Sequence, residues 1–177
     1  MKSIYIVCIS VCFLFVSCNS KPSLQKFFVE NQANKNFISL DISPSILNVD
    51  KANLTSEQQK ALASFDKMNI IAFKATDKNQ AAYKSEKIKL TEILKDVKYQ
   101  ELIKVGSGNQ GASVSFVGDE NDIKEFIFYA NKKENGFAVV RVLGDKMNPN
   151  DVMTMMSVLQ KANVDLDQLK PLQEILK

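Results

Sequence analysis

The stretch from Lys124 to Leu143, KEFIFYANKKENGFAVVRVL, decides the fold: two apolar runs meet at Asn135-Gly136. On the first arm Phe126, Phe128 and Ala130 alternate with Ile127 and Tyr129. On the second, Phe137, Val139 and Leu143 alternate with Ala138, Val140 and Val142. Period-two alternation marks strands. Asn-Gly between two such runs marks a hairpin, because both central residues of its tight turn take positive φ. Both faces of this hairpin are apolar. It is therefore covered on both sides or carries one exposed binding face. If helices cover one face only, the other presents aromatics such as Tyr129 or Phe137.

Working outward, all six glycines lie between Gly106 and Gly144. They punctuate β-like runs at 101–105, 112–117, 124–131 and 137–143, which read as an antiparallel meander of four strands. Two earlier segments add strands. Residues 37–42 alternate, with Ile38, Leu40 and Ile42 on one side. Residues 69–76, NIIAFKAT, are apolar without clean alternation, which suits a central position. Helices come between. Pro22 and Ser23 open one with Leu24, Phe27 and Phe28 on one face. Ser43-Pro44 starts a short one holding Ile46, Leu47 and Val49. Ser56 and Gln59 have capping-box spacing before Ala61, Leu62 and Phe65. Ser85 precedes Leu90, Ile93, Leu94 and Val97 at helical spacing. Asn148, Pro149 and Asp151 cap a last helix, whose apolar face is Val152, Met155, Met156 and Leu159. The expected class is α+β: the meander plus one or two earlier strands, with helices packed mainly on one face.

The N-terminus reads as a targeting segment. Lys2 precedes an uncharged, mostly apolar run from Ile4 to Val16. A bilayer span needs about 20 apolar residues, so the run suits the h-region of a signal peptide. It ends Leu14-Phe15-Val16-Ser17-Cys18. A small residue directly before a Cys at this place resembles a bacterial lipoprotein signal, with Phe15 where such signals usually carry Leu. Cys8 and Cys12 follow Val7 and Val11, and a branched side chain fits the cleavage position badly. Cys18 is the expected lipidation site. The domain organisation that follows is a signal peptide at 1–17, a lipid-anchored tether at 18–23, one α+β domain at 24–162 and a helical tail at 163–177.

Composition narrows the chemistry. The chain of 177 residues has no His, and its three Cys all lie in this N-terminal segment. Cleavage before Cys18 removes one charge, Lys2, so a net +3 becomes +2. That balance leaves no nucleic-acid footprint. Gly106-Ser107-Gly108-Asn109-Gln110-Gly111 spells G-x-G-x-x-G, but Ala112 to Val117 is β-like where a dinucleotide fold needs a helix. It reads as a hairpin loop. Ser23-Leu24-Gln25-Lys26 matches S-x-x-K without the companion motifs of serine–lysine acylases, and reads as a helix cap. Asp119, Glu120, Asn121 and Asp122 lack the alternate ligand spacing of a calcium loop and read as a solvated turn. Met147, Met153, Met155 and Met156 read as core filler against the sheet. No catalytic, cofactor-binding or metal-ligating residue is assigned.

From Ser23 to about Ala162 the order of motifs resembles a bacterial domain-of-unknown-function family, number 4252. The resemblance rests on Phe27-Phe28, Ile42-Ser43-Pro44-Ser45-Ile46-Leu47, Met68-Asn69-Ile70-Ile71 and the run from Gly136 to Asp145 before an Asp-containing helix. It implies a small exported or lipid-anchored protein and carries over no catalytic residue.

The functional expectation is a non-enzymatic, lipid-anchored macromolecule-binding or adaptor protein of the bacterial envelope, in the outer membrane and facing the periplasm or the surface, with an envelope protein as its partner. It touches the membrane through lipid on Cys18, uses no cofactor and binds no nucleic acid. The alternative is a carrier of small apolar ligands with a pocket between sheet and helices. Replacing Cys18 by Ser is expected to move the protein from the membrane fraction to a soluble or unprocessed form, read by fractionation and gel mobility. Stable anchoring needs more than one acyl chain.

Overall fold

In the computed structural model the described residues are 21–43, 47–48, 53–107, 110–133, 135–161 and 163–164. The chain runs α1 (Leu24–Asn31), β1 (Phe37–Ile42), β2 (Leu47–Asn48), α2 (Ser56–Ala63), β3 (Phe65–Lys74) and α3 (Gln80–Ile93). It continues β4 (Gln100–Ser107), β5 (Gln110–Asp119), β6 (Asp122–Lys132), β7 (Gly136–Met147), α4 (Pro149–Lys161) and β8 (Asn163–Val164). Six strands form one sheet in the order β1-β3-β7-β6-β5-β4, and every neighbouring pair is antiparallel. The expected α+β class, the four-strand meander and two earlier strands are all present. β3 lies between β1 and β7, as its unbroken apolar run requires.

The hairpin at 124–143 forms, with Lys132 opposite Gly136. Its turn differs from the tight Asn-Gly form. The Asn135 N–H donates to the Lys132 carbonyl at 3.0 Å. Of Asn135 and Gly136, only Gly136 takes a positive angle, φ +121°. A Cβ there would lie 1.8 Å from the Phe73 carbonyl oxygen. The glycine thus serves the close approach of β7 to β3, and the Ala75 N–H bonds back to the Asn135 carbonyl at 3.0 Å.

Helices reach both faces, unequally. Leu24, Phe27 and Phe28 of α1 and Tyr83, Leu90 and Ile93 of α3 pack on Phe37, Ile71, Phe73, Ile127, Phe137 and Val139. Phe37, Phe73 and Phe137 are opposed across three strands. Their rings meet at 5.1 Å (Phe37–Phe73) and 5.7 Å (Phe73–Phe137). On the other face Leu62 of α2 and Val152 and Met155 of α4 close one end over Met68, Phe116, Phe126 and Val142. Phe137 and Tyr129 therefore belong to the side that α1 and α3 cover, and Phe137 is buried.

Caps explain the helix starts. The Ser23 hydroxyl accepts the Lys26 N–H at 3.2 Å. The capping box is Thr55 with Gln58, one residue earlier than the sequence spacing predicts. α3 begins at Gln80, ahead of Ser85, because Asn79 fixes the turn: its Oδ1 accepts the Thr76 N–H at 2.7 Å and its Nδ2 donates to the Lys74 carbonyl at 3.0 Å. That start buries Tyr83. Asn148 and Asp151 cap α4 reciprocally through Asp151 N–H to Asn148 Oδ1 (3.2 Å) and Asn148 N–H to Asp151 Oδ2 (2.8 Å). The predicted short helix around Leu47 is replaced at Leu47–Asn48 by a strand that pairs with β8. Pairing across the fold overrides the local Ser-Pro signal. Asn163–Val164, the predicted start of the helical tail, is likewise strand. The rest of that tail, 165–177, and the signal segment 1–17 lie outside the described residues.

Gly136→Val is expected to lower the unfolding free energy by about 2–4 kcal/mol, since it adds backbone strain and a clash with β3. Denaturant titration measures the loss.

Candidate functional site

The sheet ends at β4, and among the described residues no strand pairs with its outer edge. All eight residues of β4 are exposed. Three of them are large and apolar: Leu102 (41%), Ile103 (58%) and Val105 (58%). An unpaired edge presents a row of free N–H and C=O groups, which proteins usually hide. The register explains the side chains. A bulge between Glu101 and Ile103 interrupts pairing with β5. Glu101 then sits opposite Ser115 and Lys104 opposite Ser113, both on the α3 face. Their side chains pair at 3.3 Å. Ile103 and Val105 point to the other face, opposite Val114 and Ala112.

Behind this edge, three successive α3-face positions of β5 are small: Gly111, Ser113 and Ser115. A groove of about 340 Å³ opens there between α3 and the outer strands. Lys87 and Thr91 line it from α3, Lys95 from the turn just after α3, Glu101 and Lys104 from β4, and Tyr129 from β6. The phenol oxygens of Tyr129 and Tyr83 are buried and have no hydrogen-bond partner among the described residues. Burial pushes the Tyr129 phenol up to about 12, with the neighbouring Tyr83 adding to the rise. Burial alone raises Tyr83. Neutral phenols are favoured here, so the stability they add is complete below pH about 10, the unfolded value. It is lost as pH rises through the folded value.

At the far end of the α3 face, Arg141 is 7% exposed. It holds Glu125 through two bonds, Nε–Oε1 at 2.6 Å and Nη2–Oε2 at 3.1 Å. Phe28 lies 5.4 Å from its guanidinium. Beside it, Asn69 donates to Asp41. Every charge in this cluster has a partner, which describes a structural joint.

The structure does not bring the sequence motifs together. Cys18 lies outside the described residues. The glycine-rich motif is the β4–β5 hairpin: a strand follows it, and Gly106 takes φ +80° where a Cβ would meet the Gln110 carbonyl at 2.3 Å. Gly108 and Asn109 lie outside the described residues. Ser23 caps α1, and the Lys26 ammonium reaches Glu30 at 3.7 Å. The acidic run is the β5–β6 turn, with Asp119 opposite Asp122. Lys124 bridges Asp122 (2.7 Å) and Asp145 (2.5 Å), and its hydrogen bond holds the Asp145 carboxyl below the usual range. Met147 and Met155 are core, as expected, but Met153 is 68% exposed because it lies on the outer side of α4. Sequence reasoning misses the β4 edge. Its signal is Glu101-Leu102-Ile103-Lys104-Val105, where two adjacent apolar residues break strict alternation.

Tyr129→Phe is expected to leave stability at pH 7 within about 1 kcal/mol or raise it, because it removes a buried hydroxyl that has no partner. The same variant should retain stability further above pH 10 than the wild type, as read by alkaline unfolding.

No curated protein and no solved structure matches the chain. A family model does, over residues 28–155, from Phe28 on α1 to Met155 on α4. That span takes in the whole six-stranded sheet with its free edge, and on it the chain belongs to the family described as a domain of unknown function, DUF4252.

Proposed function

We propose that the protein is a non-enzymatic, lipid-anchored module of the bacterial envelope that binds another macromolecule along the β4 edge. One observation carries this reading. β4 offers unpaired backbone together with exposed Leu102, Ile103 and Val105. Strand addition at such an edge draws affinity from main-chain hydrogen bonds and specificity from alternate side chains. Two clusters of buried apolar side chains, one on each face of the sheet, support an adaptor over a container. Cys18, acylated after cleavage of 1–17, is the proposed anchor. Among the described residues no helix is long and apolar enough to cross a membrane. A second reading, carriage of a small apolar ligand between sheet and helices, is favoured by the groove beneath α3. Its open mouth, lined by lysines, suits an apolar cargo less well.

The test is recovery of partners by tagged full-length protein from detergent-solubilised envelope, followed by mass spectrometry. Ile103→Asp is expected to abolish recovery of the proteins held by the wild type. Its stability should change by no more than about 0.5 kcal/mol, as for an exposed site. Equal recovery by wild type and variant rejects the edge as the binding surface.

A further inference from the structure

We infer that the strand added to β4 is β4 of a second copy, paired antiparallel about a twofold axis through Ile103. This deepens the edge-binding reading and rests on it. A regular strand would put Glu101 and Lys104 on opposite faces. The bulge puts both on the α3 face, flanking Ile103, which projects from the other. Turned about an axis through Ile103, the strand meets its own copy with opposite charges aligned. With Leu102 left outside the new ladder, as it is in the pairing with β5, Glu101 faces the partner's Lys104 and Lys104 faces the partner's Glu101. Gln100 faces the partner's Val105, and the two Ile103 side chains meet.

The neighbouring registers are excluded by charge. An axis through Lys104 would oppose two lysines, and one through Glu101 would oppose two glutamates. Directly opposed like charges destabilise a sheet pair, whereas unlike charges stabilise it. An axis between residues would place side chains of opposite faces against each other, which the pleat forbids. Of the registers centred on Glu101, Ile103 and Lys104, charge therefore selects the one centred on Ile103.

Two further observations fit. Glu101 and Lys104 have side chains 51% and 67% exposed, so their bond within one strand leaves both free to turn outward. The row Leu40, Ile70, Val140, Phe128, Val114 and Ile103 runs across all six strands and ends at the open edge. Pairing at Ile103 continues that row into the second copy and covers its most exposed member. The other edge strand, β1, lacks this character: Phe37 is buried and most of its residues are half-buried. A shared membrane would raise the local concentration of two anchored copies and favour a modest interface.

Cysteine cross-linking of the purified full-length protein in detergent tests the axis. Directly opposed residues have Cα atoms about 4.5–5.5 Å apart, inside the range for a disulfide. Ile103→Cys is therefore expected to give a disulfide-linked dimer on mild oxidation. Val105→Cys is not, because the two copies of residue 105 would lie about 13 Å apart along the strands. The wild type sets the baseline. Charge reversal supplies the second readout, by sedimentation. Glu101→Lys or Lys104→Glu alone should weaken self-association about tenfold, and the double exchange should restore it. A monomeric wild type, or equal cross-linking at 103 and 105, overturns the twofold pairing. If recovery of a different protein still depends on Ile103 while the Ile103→Cys variant forms no cross-linked dimer, self-pairing fails and the edge-binding reading stands. If Ile103→Asp loses nothing in the pull-down, the underlying reading fails as well.

Discussion

A row of aromatic rings sets both the register of three strands and the seats of two helices. Phe37, Phe73 and Phe137 lie opposite one another on β1, β3 and β7. Phe27 from α1 meets Phe37 at 5.8 Å, and Tyr83 from α3 meets Phe137 at 6.1 Å. Each well-placed aromatic pair adds about 0.5–1.5 kcal/mol beyond the area it buries. The geometry matters as much as the energy. The row fixes the register of three strands, because a slip of one residue would turn every ring to the opposite face. It also fixes where both helices sit. At the end of this row Gly136 lets β7 approach β3 closely, against the Phe73 carbonyl. The meander is thereby attached to the N-terminal half of the chain.

This arrangement divides the sheet into a tight end and an open end. The rings, α1 and α3 concentrate burial over β1, β3, β7 and β6. Under α3 the floor then falls away to Gly111, Ser113 and Ser115, and the groove opens. On the opposite face α2 and α4 close only the end that holds Met147 and Phe116. What remains beyond both helical layers is β4. Its exposure is a consequence of the distribution of bulk along the chain, since the large side chains are spent on the strands nearer the centre.

Much of this is legible in the sequence, and the exceptions have physical causes. The strands at 101–105, 112–117, 124–131 and 137–143 announce themselves by alternation and glycine punctuation, and each extends only a few residues further in the structure. The apolar run at 69–76 indicates a strand with neighbours on both sides. Leu47 reads wrongly because Ser43-Pro44 is a local helix signal, while its pairing with Val164 is set by residues far along the chain. Tyr129 and Phe137 are not separable from Phe128 and Val140 by pattern alone, because both faces of the hairpin are apolar. Only the positions of α1 and α3 distinguish them. The β4 edge is least legible. The broken alternation at Leu102-Ile103 marks an irregular strand, but exposure of an edge depends on which strand ends the sheet, which is set by pairing across the fold.

The composition of β4 sharpens the contrast with ordinary edges. Proteins guard such strands with a lysine, a bulge or inward charge, so that an incoming strand meets repulsion or a broken ladder. β4 has both a bulge and a lysine, yet the two do not act as guards in combination. The bulge brings Glu101 beside Lys104 on one face, where each neutralises the other at 3.3 Å. A guard made of both signs repels a strand of arbitrary charge order but not one that presents the reverse order. Because the two charges flank Ile103, the strand with the reverse order is β4 itself turned through 180°. Features that would protect the edge singly therefore act together as a selective filter, which rejects most neighbours and admits a self-complementary one.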